Sequence, residues 1–183
     1  TCIEAFRGLP KQGERAVRKE EGEMTWTSDI QQKINFALDH EARTRDLENR
    51  VYNFARNNGV WIDREEARGV VDQIIGYVEH VPLFIEHGIL AARQAGIEQE
   101  MTRALQEAVR YWQEPYDVIP DHLGLAGIVD DAYVTLCLIQ GISNNFQQRS
   151  GHPLFDRDMT PANTVIRNII GEPAASQLDS IIY

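Results

Sequence analysis

Apolar residues recur three and four positions apart along most of this chain, the spacing that lays a buried stripe along one side of an α-helix. Ser28-x-x-Gln31 has the form of a capping box, and Ile30, Ile34, Ala37 and Leu38 follow it at helical spacing, which predicts a helix start there. The polar run from Asp39 to Asp46 interrupts the stripe, and Leu47, Val51, Phe54 and Ala55 resume it. That pattern fits one helix with a solvent-facing middle or two helices joined at a bend, ending in either case at Asn57-Asn58-Gly59. Asp63-x-x-Glu66 opens a second segment whose Ala67, Val70, Val71, Ile74, Ile75, Val78 and Val81 form a wide stripe, and Pro82 kinks or ends it. Leu83, Phe84, Ile85, Ile89 and Leu90 carry the apolar character on to Gly96.

From Ile97 the series Met101, Ala104, Leu105, Ala108, Val109 and Trp112 keeps a helical period, and Ala132 to Gln148 holds no charged residue. Thr160-Pro161 reads as an N-cap followed by proline at the first helical position, with Val165, Ile166, Ile169 and Ile170 facing inward until Gly171 and Pro173. Residues 174–183 read as a short docking helix ending in Ile181-Ile182-Tyr183. Val60-Trp61-Ile62 is too brief for a strand, and no longer alternating run occurs. The pattern predicts an all-α protein: residues 1–25 form an arm, and 26–183 form a single helical bundle of about five to eight helices. Its core is expected to draw on Ile74, Val78, Leu105, Trp112, Val134, Leu138 and Ile169.

Between the two most apolar segments lies residues 111–131, where prolines, glycines and four aspartates interrupt an apolar run. This proline-aspartate helical hairpin is expected at the centre of the bundle. Pro115 and Pro120 exclude the α conformation from the residues before them, so the helix arriving through Trp112 should stop near Gln113 or Glu114. Aspartates set among Val, Ile, Leu and Ala need partners. Asp117 and Asp121 are placed to accept from backbone N–H groups of a turn, and Asp130 to cap a helix beginning at Asp131 or Ala132. The competing reading is that Asp117, Asp121, Asp130 and Asp131 converge on a hard divalent cation, with His122 as a proton carrier.

The spacing Tyr111-x-x-x-Pro115-x-Asp117-x-x-Pro120-Asp121, followed by Gly127-x-x-Asp130-Asp131, resembles the signature of the YkvA-like family of small helical domains of unknown function. The resemblance covers about residues 105–142. Two positions depart from it: Gly124 stands where the family usually carries proline, and His122 where it carries an apolar residue. The resemblance implies no activity, because the family has none agreed; some relatives carry the motif in a membrane-embedded segment and others look soluble.

Charge and composition narrow the function. A formal charge of −10 and a pI near 4.9 argue against nucleic acid as a partner, since affinity for phosphate comes from clustered Lys and Arg. Cys2 and Cys137 are the two cysteines, which excludes a disulfide framework and fits a reducing, cytoplasmic compartment. Glu79-His80 and Glu86-His87 would share one helix face only if the helix survived Pro82, and the Glu-x-x-His spacing of di-iron bundles is absent. Nucleophile elbows, phosphate loops and dinucleotide fingerprints are also absent. Extending the uncharged segment back to Leu123 reaches membrane length only by including Asp130 and Asp131, each costing about 2.5–3.5 kcal/mol at a helix centre.

These observations lead to a non-enzymatic helical interaction or scaffold module, regulatory or membrane-peripheral in role. Its expected partner is a protein, with a membrane surface or a second copy held through the apolar tail as alternatives, and no cofactor is expected. The alternative is a metal-dependent hydrolase or metal-binding sensor using the aspartates of 117–131.

Overall fold

A computed structural model of the chain describes residues 23–114 and 118–182, at 23–25 and 121 the backbone only. The arm at 1–22, Cys2, Pro115, Asp117 and Tyr183 lie outside the described residues, as does the side chain of Asp121. Among the described residues the chain is all-α, without strands. Its helices are α1 (Glu23–Thr44), α2 (Asp46–Asn57), α3 (Arg64–Glu79), α4 (Val81–Gln94) and α5 (Glu98–Trp112). A short 3-10 segment, Asp121–Ala126, leads into α6 (Val129–Ser150), α7 (Thr160–Ile170) and α8 (Ala174–Ile182).

The bundle is built around α6, which packs against α3, α4, α5, α7 and α8. A helix touched from so many sides must be apolar around most of its circumference, and the uncharged run from Ala132 supplies that. Val129, Ala132, Val134, Leu136, Ile139 and Ile142 are all buried along it. The segment His122–Ser150 is the one described stretch long and apolar enough to cross a membrane by composition, with a mean hydropathy of 1.5. Its most apolar window is 83% buried inside the fold, as befits a core helix.

Local chemistry sets most helix ends. Asp63 and Glu66 form the expected capping box: Asp63 Oδ1 accepts from the Glu66 N–H at 2.8 Å and Glu66 Oε2 from the Asp63 N–H at 2.9 Å. Two helices close in Schellman turns. Gly59, at φ 73°, donates to Arg56 O and Val60 to Ala55 O, and Gly96 and Ile97 repeat the pattern on Arg93 and Ala92. Pro82 ends α3 rather than kinking it, so Glu79-His80 and Glu86-His87 fall on either side of a helix break.

The polar run 39–46 resolves into two helices, broken at Arg45 with φ 52°. Its middle does not wholly face solvent. Glu41 is buried, its carboxylate accepting from the Leu47 and Glu48 N–H groups at 2.8 and 3.1 Å and so capping α2 from a turn away.

Three expectations need correction. Ser28 does not cap a helix start, because α1 already runs through it from Glu23. Thr160 is the first residue of α7 rather than its cap; Met159 takes the cap position and Pro161 follows Thr160 inside the first turn. Ile169 is 37% exposed, because the inward line of α7 passes from Ala162 through Ile166 to Ile170 at every fourth residue and leaves Ile169 beside it. Leu138 is half-buried, while Ile74, Val78, Leu105, Trp112 and Val134 are buried as expected.

Gly124 occupies a backbone conformation that excludes proline. Its φ of 64° and ψ of −128° lie where proline, fixed near φ −65°, cannot go. A Cβ built there would also stand 2.8 Å from His40 Nδ1. Replacing Gly124 by Ala should lower stability by about 1–3 kcal/mol in chemical denaturation. Adding His40→Ala should return only the part due to the contact, and a Gly124→Ala variant as stable as the parent would contradict this backbone assignment.

Candidate functional site

The residues around the proline-aspartate stretch form two sets of polar contacts where α5 meets the start of α6. Helix α5 ends at Trp112, with Gln113 as its C-cap, where the prolines require. The Trp112 carbonyl accepts from Lys33 Nζ of α1, and its indole N–H donates to Thr135 Oγ1 at 2.9 Å. Thr135 in turn donates to the Asp131 carbonyl one turn back at 2.9 Å. One residue before Trp112, the Tyr111 hydroxyl donates to Asp130 Oδ2 at 3.0 Å and accepts from the Val118 N–H at 3.3 Å. Asp130 Oδ2 also accepts from the Ile119 N–H at 3.1 Å.

Asp130 is therefore not the N-cap of α6. The helix begins at Val129 with Ile128 in the cap position and no side-chain cap bond, so Asp130 and Asp131 both fall in the first turn. There the positive end of the helix dipole favours carboxylates. The connection passes close enough for Asp130 to take a backbone N–H from it instead of from its own helix. Gly127 has φ −77°, a conformation open to any residue.

Of the four aspartates proposed to bind a cation, Asp130 and Asp131 are the two whose side chains are described, and both are fully buried. No group of three or more His, Cys, Asp and Glu side chains with metal-ligand geometry occurs among the described residues. A divalent cation here would need ligands from 117 and 121, with one Asp130 oxygen already engaged by Tyr111 and Ile119. His122 is exposed.

Two features escaped the sequence pattern. The first is a cleft of about 620 Å³ between α6, α7 and α8, lined among others by Tyr133, Cys137, Gln140, Asn144, Asn163, Arg167 and Asp179. At one end the Tyr133 hydroxyl donates to Asp179 Oδ1 at 2.8 Å, and Arg167 donates to Asp179 Oδ2 through Nε at 2.8 Å and Nη2 at 2.7 Å. These bonds to Asp179, and then to Glu172, raise the pKa of Arg167 further, while Ser176 and Arg167 hold Glu172 below the usual carboxylate range. Burial pushes the Tyr133 phenol well up and the Cys137 thiol up to about 12 from an ordinary 9.0. The thiol is a packed, protonated group and not a nucleophile.

The second is the turn between α2 and α3, where Trp61 is 91% exposed and Val60 53%, with Phe54 in the last turns of α2 72% exposed. Phe54, expected on the buried stripe of α2, is a correction: it faces solvent near the end of that helix, and only the Asn-Asn-Gly stop that precedes Val60 and Trp61 hints at an exposed turn. The chain matches no family model, no curated protein and no solved structure, so the YkvA-like resemblance rests on the residues that carry it.

Asp130→Ala should remove about 2–3 kcal/mol, since it strips the acceptor from a backbone N–H and a phenol beneath the connection. Asp130→Asn, keeping one carbonyl oxygen, should recover about half, and Tyr111→Phe should cost about 1 kcal/mol. A double-mutant cycle on Tyr111 and Asp130 in urea melts checks this, and additive losses would refute the coupling. Raised acid pKa values at Cys137 and Tyr133 favour the folded state fully below pH 9, and that stability should decline as pH rises further. Native Cys137 should accordingly resist iodoacetamide until the protein unfolds, as peptide mapping would report.

Proposed function

We propose that this chain is a non-enzymatic interaction module whose partner, a protein, docks on the α2–α3 turn. One observation carries the reading: a tryptophan 91% exposed next to an exposed valine, on a turn held stiff from both sides and following a helix whose Phe54 is also exposed. Large aromatic groups left in water are what binding surfaces retain, and tryptophan leads the residues that dominate interface energies.

The stiffness is local. The Schellman turn brings Val60 back toward the end of α2, and the capping box fixes the start of α3 two residues beyond Trp61. Arg64 stacks over the Tyr52 ring at 4.1 Å and donates to Asn49 Oδ1 at 2.7 Å, pinning α3 to α2 behind the turn. A preorganised apolar tip loses little entropy on docking. A scaffold or regulatory adaptor, cytoplasmic and either free or at a membrane surface, fits this reading. The tail supports a second copy less well, because α8 spends Ala175 and Leu178 on its own core.

Trp61→Ala should leave the melting temperature unchanged, as the side chain touches little of the fold. Affinity capture of the wild type and this variant from the same cell extract, compared by quantitative mass spectrometry, should show a protein lost with the tryptophan. Identical captures would overturn the reading. Vesicle flotation that depends on Trp61, without such a protein, would replace it by membrane docking.

A further inference from the structure

All but one of the asparagines in this chain sit inside helices. Asn35 lies in α1, Asn49, Asn53 and Asn57 in α2, Asn144 and Asn145 in α6, and Asn163 and Asn168 in α7. Asn58 is the exception: it stands just past the end of α2 as its C-cap, at φ −96° and ψ 11°, and it alone is followed by glycine. Both Asn58 and Gly59 are exposed.

This placement has a chemical meaning. An asparagine loses its amide when the backbone nitrogen of the next residue attacks Cγ and closes a five-membered imide. The attack requires ψ to swing away from helical values and the attacking N–H to leave its hydrogen bond. Inside a helix that N–H is held by a carbonyl four residues back, so the helical asparagines are barred. Asn58 is held by less: its Nδ2 donates to the Phe54 carbonyl at 2.8 Å, and the Gly59 N–H to the Arg56 carbonyl at 3.1 Å. Both bonds belong to a solvated helix end, the part of a fold that opens most readily. Gly59 brings no Cβ to the approach, and a Cβ built there would meet no atom within 4 Å.

We infer that Asn58 is a site of spontaneous covalent modification, with water as the co-reactant and isoaspartate as the main product. The Gly59 N–H gives its proton to hydroxide, the bond from Gly59 N to Asn58 Cγ forms, and the side-chain nitrogen takes a proton from water and leaves as ammonia. Water then opens the imide. Cleavage between the nitrogen and the main-chain carbonyl carbon leaves isoaspartate, and cleavage at Cγ leaves aspartate; nothing is oxidised or reduced. The first is favoured because that carbon adjoins a Cα carrying an electron-withdrawing amide. Isoaspartate routes the chain through the former side chain and inserts a methylene before Gly59, so the Schellman pairing of Gly59 with Arg56 and Val60 with Ala55 loses its register. A carboxylate also appears at the C-terminal end of α2, where the helix dipole disfavours it. Trp61 thereby loses its stiff support, a consequence for docking that rests on the reading above, whereas the modification itself does not.

The full chain is incubated at mildly alkaline pH beside a synthetic peptide of residues 57–64, and the chain is then cut by trypsin after Arg56 and Arg64, with an unincubated sample as baseline. Mass spectrometry of the 57–64 fragment should show acid replacing amide at residue 58, resolved by chromatography into a larger isoaspartate and a smaller aspartate peak. Fragments carrying the helical asparagines should stay unchanged. Conversion should be slower at mildly acidic pH, slower in the folded chain than in the peptide, and abolished by Asn58→Gln, whose longer side chain would have to close a six-membered ring. A chain that stays unchanged while the peptide converts, or helical asparagines that convert as fast, would overturn the site. Aged protein that keeps every Trp61-dependent capture of fresh protein would overturn the loss of support at the turn. Captures that never depended on Trp61 would strike the docking reading and leave a modification seen by mass standing.

Discussion

A fully buried carboxylate in the first turn of the most buried helix is the constraint on which the rest of this bundle depends. Taking Asp130 out of water costs several kcal/mol unless each of its demands is met. The Tyr111 hydroxyl and the Ile119 N–H both donate to its Oδ2, and it stands at the positive end of α6, so three successive parts of the chain converge on one carboxylate. The same groups therefore fix where α5 ends, how the connection returns and where α6 begins. Below them the Trp112 indole, Thr135 and the Asp131 carbonyl form a second rung, and Lys33 brings α1 to the end of α5.

With α6 anchored at its start, its length is free to serve the core on several sides. Beyond the Asp130 and Thr135 contacts to α5, the faces toward α3, α4 and α5 are lined by buried apolar residues. The face toward α7 and α8 is different: tyrosine, cysteine, glutamine and asparagine alternate there with leucine and isoleucine, and a cleft remains. A buried amide such as Gln140 earns its place by satisfying the Met159 N–H at the start of α7.

The α2–α3 turn obeys another logic, in which every contact is local. A Schellman turn, a capping box and a stacked arginine hold its shape without drawing on the core. Such a turn can present Trp61 to solvent at little cost to the fold. Behind the turn, Arg64 at the start of α3 also lies 3.9 Å from the Glu48 carboxylate of α2.

The sequence by itself determined the helical class, the stripes that became the core, the helix stop at Trp112 and the breaks at Asn57 and Pro82. Those are consequences of period and of backbone chemistry within a few residues, and nearby residues suffice to express them. It also marked 111–131 as the place where aspartates need partners. Only the tertiary structure decided which partners: Asp130 looks like a cap in sequence, yet it answers a tyrosine nineteen positions earlier. Glu41, in a run that reads as solvated, is buried because α2 folds back over it and needs its carboxylate. Ile169 reads as core and lies outside because α7 turns its fourth-residue line inward. The cleft joins residues of α6 to others on α7 and α8, and Trp61 is exposed because nothing packs over its turn. Burial and hydrogen-bond partnership across helices are properties of the packed chain, which no local spacing encodes.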